Sequence, residues 1–231
     1  MNIHDAKGYW RDTPEGHTKI NEEFTRLVNE DSELRLYRDW IEQRIFGFGE
    51  RSFLWMWKLL VDEMPPSFKF LEIGVFRGQI IGLVSLLTNR TGRESVIRGV
   101  TPLDSTDGHW ESDYAADIKL LHFSWGLKQP EIIKGLSTSP DAISKANDMY
   151  DMVYIDGGHS YEVVQQDIKN YSPMVKTGGF LVIDDCCNKY NLPAGYFKGI
   201  ESVSKAVDEV LPNEHFKELF SVVHNRVFKK V

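Results

Sequence analysis

From Phe68 onward the chain alternates between short apolar runs and longer stretches with helical spacing, and this alternation constrains the fold more than any other feature. FKFLEIG is an apolar run ending in glycine, QIIGLVSLLTNR has helical apolar spacing, and SVIRGVTPL is β-branched and apolar again. ESDYAADIKLLHFSWGL then reads as helix, EIIKGLS as strand, PDAISKAND as a helix opened by Pro140, and DMVYID as the next strand. SYEVVQQDIKNYSPMV reads as helix, GGFLVIDD as a fifth strand and ESVSKAVDEVL as a further helix. The tail KELFSVVHNRVFKKV carries two β-type runs around His224 and Asn225, an expected antiparallel hairpin. Strands separated by helices need crossovers, and crossovers of that length make neighbouring strands parallel, with helices on both faces. The prediction is a doubly wound, mostly parallel α/β sheet, whose ligand sits outside the carboxyl ends of the strands where strand order reverses.

The first 64 residues have a different texture. Charged residues alternate with aromatics through NEEFTRLVNEDSELRLYRDWIEQRIFGFGE, and RSFLWMWKLLVDEM runs into Pro65 and Pro66, which cannot continue a helix. This predicts an N-terminal helical cap or lid over 1–64, followed by the sheet domain over 65–231. The aromatics Trp10, Phe24, Trp40, Phe46, Phe48, Phe53, Trp55 and Trp57 fit either a packed core or a lid, a substrate box or a contact that builds a homo-oligomer through these helices. At 231 residues the chain can bury one large core. A net charge of −7 argues against nucleic acid and anionic membrane as partners, and a polar N-terminus without a long apolar run leads to the expectation of a cytoplasmic protein. Cys186 and Cys187 are adjacent, which suits neither a disulfide framework nor a zinc site; small buried residues are expected.

The expected strand ends hold the chemistry. LEIGVFRGQ closes the first strand with Glu72, Gly74 and Gly78, a turn that lets backbone approach a ligand. It is neither a dinucleotide fingerprint nor a phosphate loop. A carboxylate there repels pyrophosphate and suits a cationic amino or sulfonium group. The second strand ends on Thr101, with Asp104 three residues later, reaching a ligand only if the Pro102 turn folds back and otherwise a plain loop aspartate. Ser137 and Thr138, after the third strand, either contact a ligand or cap the next helix.

YIDGGHSYE and VIDD carry the strongest signal. Asp156 ends one strand and Asp184 and Asp185 end the next, so three carboxylates converge on one edge unless each is separately solvated. Like charges in a crevice need something positive among them, and a divalent cation with hard oxygen ligands is the natural partner. His159, three residues after Asp156 on a glycine turn, has an ordinary pKa near ~6.5 and is placed to take a proton from a hydroxyl at that site.

LEIGVFRGQ, DMVYIDGGHSYE, the following helix with Asp167, and TGGFLVIDD together resemble the class I S-adenosylmethionine-dependent methyltransferases with their seven-stranded, Rossmann-like sheet. Within these they are most similar to the branch of macrolide-sugar and aminocoumarin-sugar O-methyltransferases and relatives resembling cephalosporin hydroxylase. The match spans residues 68–190, about half the chain. The resemblance implies that Glu72, Gly74 and Gly78 line the methionine and ribose part of S-adenosyl-L-methionine, with Ser137 near the adenine. It also implies that Asp156, beside the cofactor, joins Asp184 and Asp185 in holding Mg2+, and that His159 is the general base. Thr101 departs from the pattern, which has a ribose-binding acid there; Asp104 is the candidate replacement.

The leading expectation is a magnesium-dependent O-methyltransferase acting on a hydroxyl of a small molecule, such as a sugar or glycosylated natural product. A hydroxylase-like metal enzyme on the same fold ranks lower, because non-haem iron usually asks for two histidines and only one is placed. A non-catalytic cofactor-binding module is the third reading, since fold alone does not fix function.

Overall fold

The computed structural model describes residues 3–104 and 113–231. Four helices come first: α1 (Ile3–Tyr9), α2 (Pro14–Glu30), α3 (Ser32–Arg44) and α4 (Ser52–Asp62). Strand and helix then alternate through β1 (Ser67–Ile73), α5 (Gln79–Thr91), β2 (Glu94–Thr101), α6 (Tyr114–Ser124), β3 (Glu131–Lys134), α7 (Pro140–Ala146), β4 (Tyr150–Ile155), α8 (Tyr161–Tyr171) and β5 (Val175–Ile183). Helix α9 (Glu201–Val210) leads into the hairpin of β6 (Phe216–Val222) and β7 (Asn225–Lys230). The hairpin turn is Val223–His224, one residue earlier than the sequence pattern placed it, because Asn225 already pairs with Val222.

The seven strands form one sheet in the order β3-β2-β1-β4-β5-β7-β6. The first five are parallel, and β7 runs antiparallel to β5. This is the doubly wound, mostly parallel architecture with an antiparallel C-terminal hairpin that the strand alternation predicted. The chain winds outward from β1 through β2 to β3, then returns to place β4 on the other side of β1. The ends of β1 and β4 therefore flank the point where strand order reverses, which is where such sheets leave a crevice.

Side chains alternate between the two faces with the period of the strand. Phe70, Met152, Tyr154, Phe180 and Val182 face one way, into a cluster that also holds residues of α1–α5 and of the hairpin. Leu71, Ile73, Val153, Ile155, Leu181 and Ile183 face the other way, against α7, α8 and α9. Helix α4 is apolar around most of its girth, as a buried helix should be, with Leu54, Met56, Leu60 and Val61 fully buried.

Residues of the N-terminal helices thus form part of the layer that covers one face of the sheet. Trp57 sits edge-on to Phe70 at 5.7 Å and to Tyr154 at 5.1 Å between ring centroids. The Tyr37 hydroxyl donates 2.6 Å to the carbonyl of Gln79, the first residue of α5, and the Trp10 indole N–H donates 2.8 Å to the Ser221 hydroxyl on β6. Of the N-terminal aromatics, Phe24, Phe46, Phe53, Trp55 and Trp57 are buried, whereas Phe48 is 57% exposed. Cys186 and Cys187 are buried free thiols, as their adjacency suggested. Among the described residues, no helix is long and apolar enough to cross a membrane.

Trp57→Ala should lower unfolding free energy by about 3–5 kcal/mol in a urea melt, the range for deleting a fully buried large aromatic. A loss near zero would show that α4 covers the sheet only loosely.

Candidate functional site

The loops at the carboxyl ends of β1 and β4 cross within contact distance, and glycine makes the crossing work. Gly74 has φ of +91°, and a Cβ on it would lie 1.9 Å from the Asp156 carbonyl oxygen, so no other residue fits without moving the strands. Gly78, φ +97°, is the N-cap of α5. Between them the turn opens onto a cavity of about 950 Å3. Glu72 lines the cavity, is 2% exposed, and its Oε2 has no hydrogen-bond partner. Burial, aided by the charge of Asp156, pushes its carboxyl well above the usual range, against a weaker opposing effect of the Ile81 N–H.

The second and third strand ends close the same cavity. Thr101 is buried, and the chain turns back after Pro102 through Leu103, whose φ is +61°. Asp104 is thereby placed on the cavity lining. Ser137 and Thr138 also line it, and the cap of α7 is their neighbour Ser139, whose hydroxyl accepts from the Ala142 N–H; the capping role considered for Ser137 and Thr138 therefore falls to the next residue. The Tyr171 hydroxyl donates 2.7 Å to the Ser137 carbonyl and fixes that loop. Asp167, fully buried, lies directly under Gly157: its Oδ2 would be 3.2 Å from a Cβ at that position. Burial pushes its carboxyl up to about 6, with Ser137 pulling weakly the other way.

The ends of β4 and β5 carry the acidic cluster. The Tyr154 hydroxyl stands between two carboxylates, 3.1 Å from Asp156 Oδ2 and 2.9 Å from Asp184 Oδ2. A phenol has one proton to give, so one of these contacts is completed by an acid proton. That proton belongs on Asp156, whose carboxyl is pushed up to about 7 by burial and by Asp184. Asp184 is held below the usual range: burial opposes ionisation, but the His224 charge and its hydrogen bond outweigh it, helped by the Asp185 N–H and Tyr154.

His224 is the central group here, and sequence reasoning missed it. Its Nδ1 lies 2.6 Å from Asp184 Oδ1 and 3.0 Å from Asp185 Oδ1, and its Nε2 lies 3.2 Å from Glu50 Oε2. Both ring nitrogens face carboxylates, so the ring is held as an imidazolium. Burial alone would lower its pKa, yet Asp184, Asp185 and Glu50 together push it up to about 12. The signal for His224 was topological: a hairpin added antiparallel to β5 puts its turn at the same edge as the β5 carboxyl end. Asp184, Asp185 and His224 bring their polar atoms within 4.8 Å of one another; the imidazolium has no lone pair to give, so a divalent ion here would be held through the two carboxylates. Asp156 stands outside that group, linked to it through Tyr154.

His159 Nε2 lies 3.5 Å from Asp185 Oδ2 and 3.9 Å from Asp156 Oδ1, with 43% of the side chain exposed toward the cavity it lines. Its pKa is raised, chiefly by the Asp156 carboxyl group, against a smaller effect of burial. The loop after β5 returns to this edge and is pinned there: Gly199 packs so closely on Asp185 that a Cβ would meet its backbone at 2.2 Å, and Ile200 N–H donates 2.8 Å to the Asp185 carbonyl. Just before those pins the loop presents Phe197, 52% exposed, its ring 5.1 Å from that of His224. The Phe53 ring also lies 4.8 Å from that of His224, and Phe48 packs 5.4 Å from Phe76.

A single cavity therefore brings together Glu72, Gly74, Asp104, Ser137, Asp156, His159, Asp184 and Asp185, with Gly78 directly behind the turn. The unpartnered Glu72 oxygen suits a cationic amine, and the glycine turn admits a ligand against backbone, so the residues present fit the amino-acid and nucleoside parts of S-adenosylmethionine.

The family profile described as a methyltransferase domain matches residues 71–186. No curated protein sequence matches the chain. Several solved structures share the fold at low identity. A Podospora anserina methyltransferase, PaMTH1, solved with S-adenosylhomocysteine, has 12% identity and a TM-score of 0.63 over 91% of this chain and 94% of its own. The O-methyltransferase NovP has 15% identity and a TM-score of 0.57 over 77% of this chain and 79% of its own. CalS11, a TDP-rhamnose 3'-O-methyltransferase of calicheamicin biosynthesis, has 17% identity and a TM-score of 0.56 over 96% and 97%. The profile covers half the chain, including the strand ends that build the cavity, and the chain accordingly belongs to the methyltransferase domain family, as an S-adenosylmethionine-dependent methyltransferase.

Proposed function

We propose that the protein is an O-methyltransferase that moves the methyl group of S-adenosylmethionine to a hydroxyl of a small molecule, with a sugar or glycosylated compound as the acceptor and a divalent cation at the acidic cluster. The observation that carries this reading is one continuous cavity, with the unpartnered Oε2 of Glu72 on its wall at the β1 glycine turn and a histidine between two carboxyl groups at the ends of β4 and β5. The O-methyltransferases NovP and CalS11, similar in fold, support the choice of oxygen as nucleophile, and the TDP-rhamnose that CalS11 methylates supports a sugar as acceptor.

When bound, S-adenosylmethionine supplies a methyl group on a sulfonium that leaves as a neutral thioether, and magnesium at Asp184 and Asp185, with Asp156 beside them, lowers the pKa of the acceptor hydroxyl. The chain's residues do the placing. Glu72 ionises as it pairs with the amino group of the methionine part, Asp104 receives the ribose hydroxyls in place of an acid at Thr101, and the loop at Ser137 holds the adenine. His159 would take the hydroxyl proton on Nε2, leaving the oxygen free to accept the methyl group that S-adenosylmethionine would supply. Asp185, whose Oδ2 lies 3.5 Å from Nε2, would then stabilise the imidazolium so formed.

His159→Ala should lower kcat about 10²–10⁴-fold, the usual contribution of a general base, while calorimetry shows unchanged affinity for S-adenosylhomocysteine. Parallel loss of both would assign His159 to binding instead. Glu72→Gln should weaken S-adenosylhomocysteine about 10–100-fold, the equivalent of one charge-assisted hydrogen bond, with an unchanged circular dichroism spectrum. Chelation with EDTA should abolish turnover, magnesium should restore it, and S-adenosylhomocysteine should bind throughout. Full activity in EDTA would remove the cation from the mechanism.

A further inference from the structure

The loop between α3 and α4 carries one acid of the N-terminal segment to the acidic edge of the sheet. Glu50 Oε2 lies 3.2 Å from His224 Nε2, while Asp184 and Asp185 face the other ring nitrogen. That oxygen is shielded from solvent. Among the described residues His224 is the one ion-pair partner of Glu50, because the neighbouring Arg51 is turned to Asp39 and Glu42. Glu50 stands outside the group of Asp184, Asp185 and His224 atoms that lie within 4.8 Å of one another, so it reaches a cation there through the ring and not as a ligand. A divalent ion at Asp184 and Asp185 meets an unfavourable neighbour in that ring, which bonds an oxygen of each acid and offsets one of the two negative charges they bring. A carboxylate at the far nitrogen gives the ring a second partner and restores the lost charge.

The loop is built to hold that carboxylate in place. Arg38 on α3 is buried, and its guanidinium reaches the two residues that precede Glu50: Nη1 donates 3.2 Å to the Phe48 carbonyl and Nη2 donates to the Gly49 carbonyl. Its Nε donates 2.8 Å to Glu42, and Glu42 also accepts from Arg51, the residue after Glu50. Gly49 has φ of +82°, and a Cβ on it would meet the Phe53 ring at 2.5 Å, the same ring that lies 4.8 Å from His224. Backbone on both sides of Glu50 is thus tied to α3 through Arg38 and Glu42. A planar fork on two successive carbonyls fixes a backbone more narrowly than a single hydrogen bond does.

We propose, resting on the divalent cation of the function proposed above, that Glu50 is a positioning residue for that cation, acting through His224, and that Arg38 positions Glu50 by holding the two carbonyls before it. The test is an electron paramagnetic resonance titration of the full chain, saturated with S-adenosylhomocysteine, with Mn2+, which takes the same oxygen ligands as Mg2+. An Asp185→Asn chain sets the background from other acidic surfaces. Glu50→Gln, which keeps the shape and loses the charge, should weaken Mn2+ about 10–100-fold, the usual cost of removing an outer-shell partner, while calorimetry shows unchanged S-adenosylhomocysteine affinity. Arg38→Lys, which keeps the charge and loses the fork, should weaken Mn2+ about fivefold, the equivalent of one hydrogen bond, and should cost nothing further in the Glu50→Gln chain. That non-additivity marks action through Glu50, since an independent loss of packing would add in both chains. Mn2+ affinity indifferent to Glu50→Gln, parallel loss of Mn2+ and S-adenosylhomocysteine, or an equal Arg38→Lys effect in both chains would overturn the proposal while leaving the cation in the mechanism. Mn2+ binding no tighter than the Asp185→Asn background would overturn both.

Discussion

Four carboxylates, from Glu50, Asp156, Asp184 and Asp185, converge on the edge of the sheet where β4 and β5 end, and the rest of the site is arranged around keeping them together. Water would pull such groups apart, and burial makes their repulsion stronger. The His224 imidazolium answers part of that repulsion by bridging Asp184, Asp185 and Glu50. Tyr154 and an acid proton on Asp156 answer another part. The hairpin that delivers His224 is thus as much a part of the site as the strands that deliver the acids. The N-terminal segment enters the same balance through Glu50, which gives its packing against the sheet an electrostatic purpose in addition to the apolar one.

Much of this was legible in the residues. Each parallel strand announced itself as an apolar run ending in a turn residue, and the acids that matter stood directly before or within those turns: Glu72 before Gly74, Asp156 before Gly157, Asp184 and Asp185 after FLVI. Placing function at strand ends therefore followed from the fold class alone. Asp104 was a conditional reading, dependent on the turn at Pro102, and the left-handed Leu103 supplies that turn. His224 was not found because its role depends on which strand the hairpin joins. Run-by-run reading detects the hairpin; only the pairing of β7 with β5, with Ile183 beside Arg226, carries the turn to Asp184 and Asp185.

The N-terminal aromatics show a second limit. Helical spacing alone did not separate core from pocket, and the structure divides them: Trp57 and Phe24 pack in the interior, while Phe48 stands on the cavity wall. The difference lies in position. Phe48 belongs to the loop after α3, near the strand ends, and Trp57 and Phe24 belong to helices laid over the sheet.

The pinning of Gly199 and Ile200 onto Asp185 has a consequence for how such a protein can diversify. Because both ends of the 186–200 loop are tied to the acid-bearing backbone by main-chain contacts, and Tyr190 and Leu192 anchor its first half in the core, the exposed part around Phe197 is where residues can change without displacing the carboxylates. A lineage built on this plan is free to reshape one wall of the cavity by rewriting a few residues, while the acidic edge of the sheet is inherited untouched.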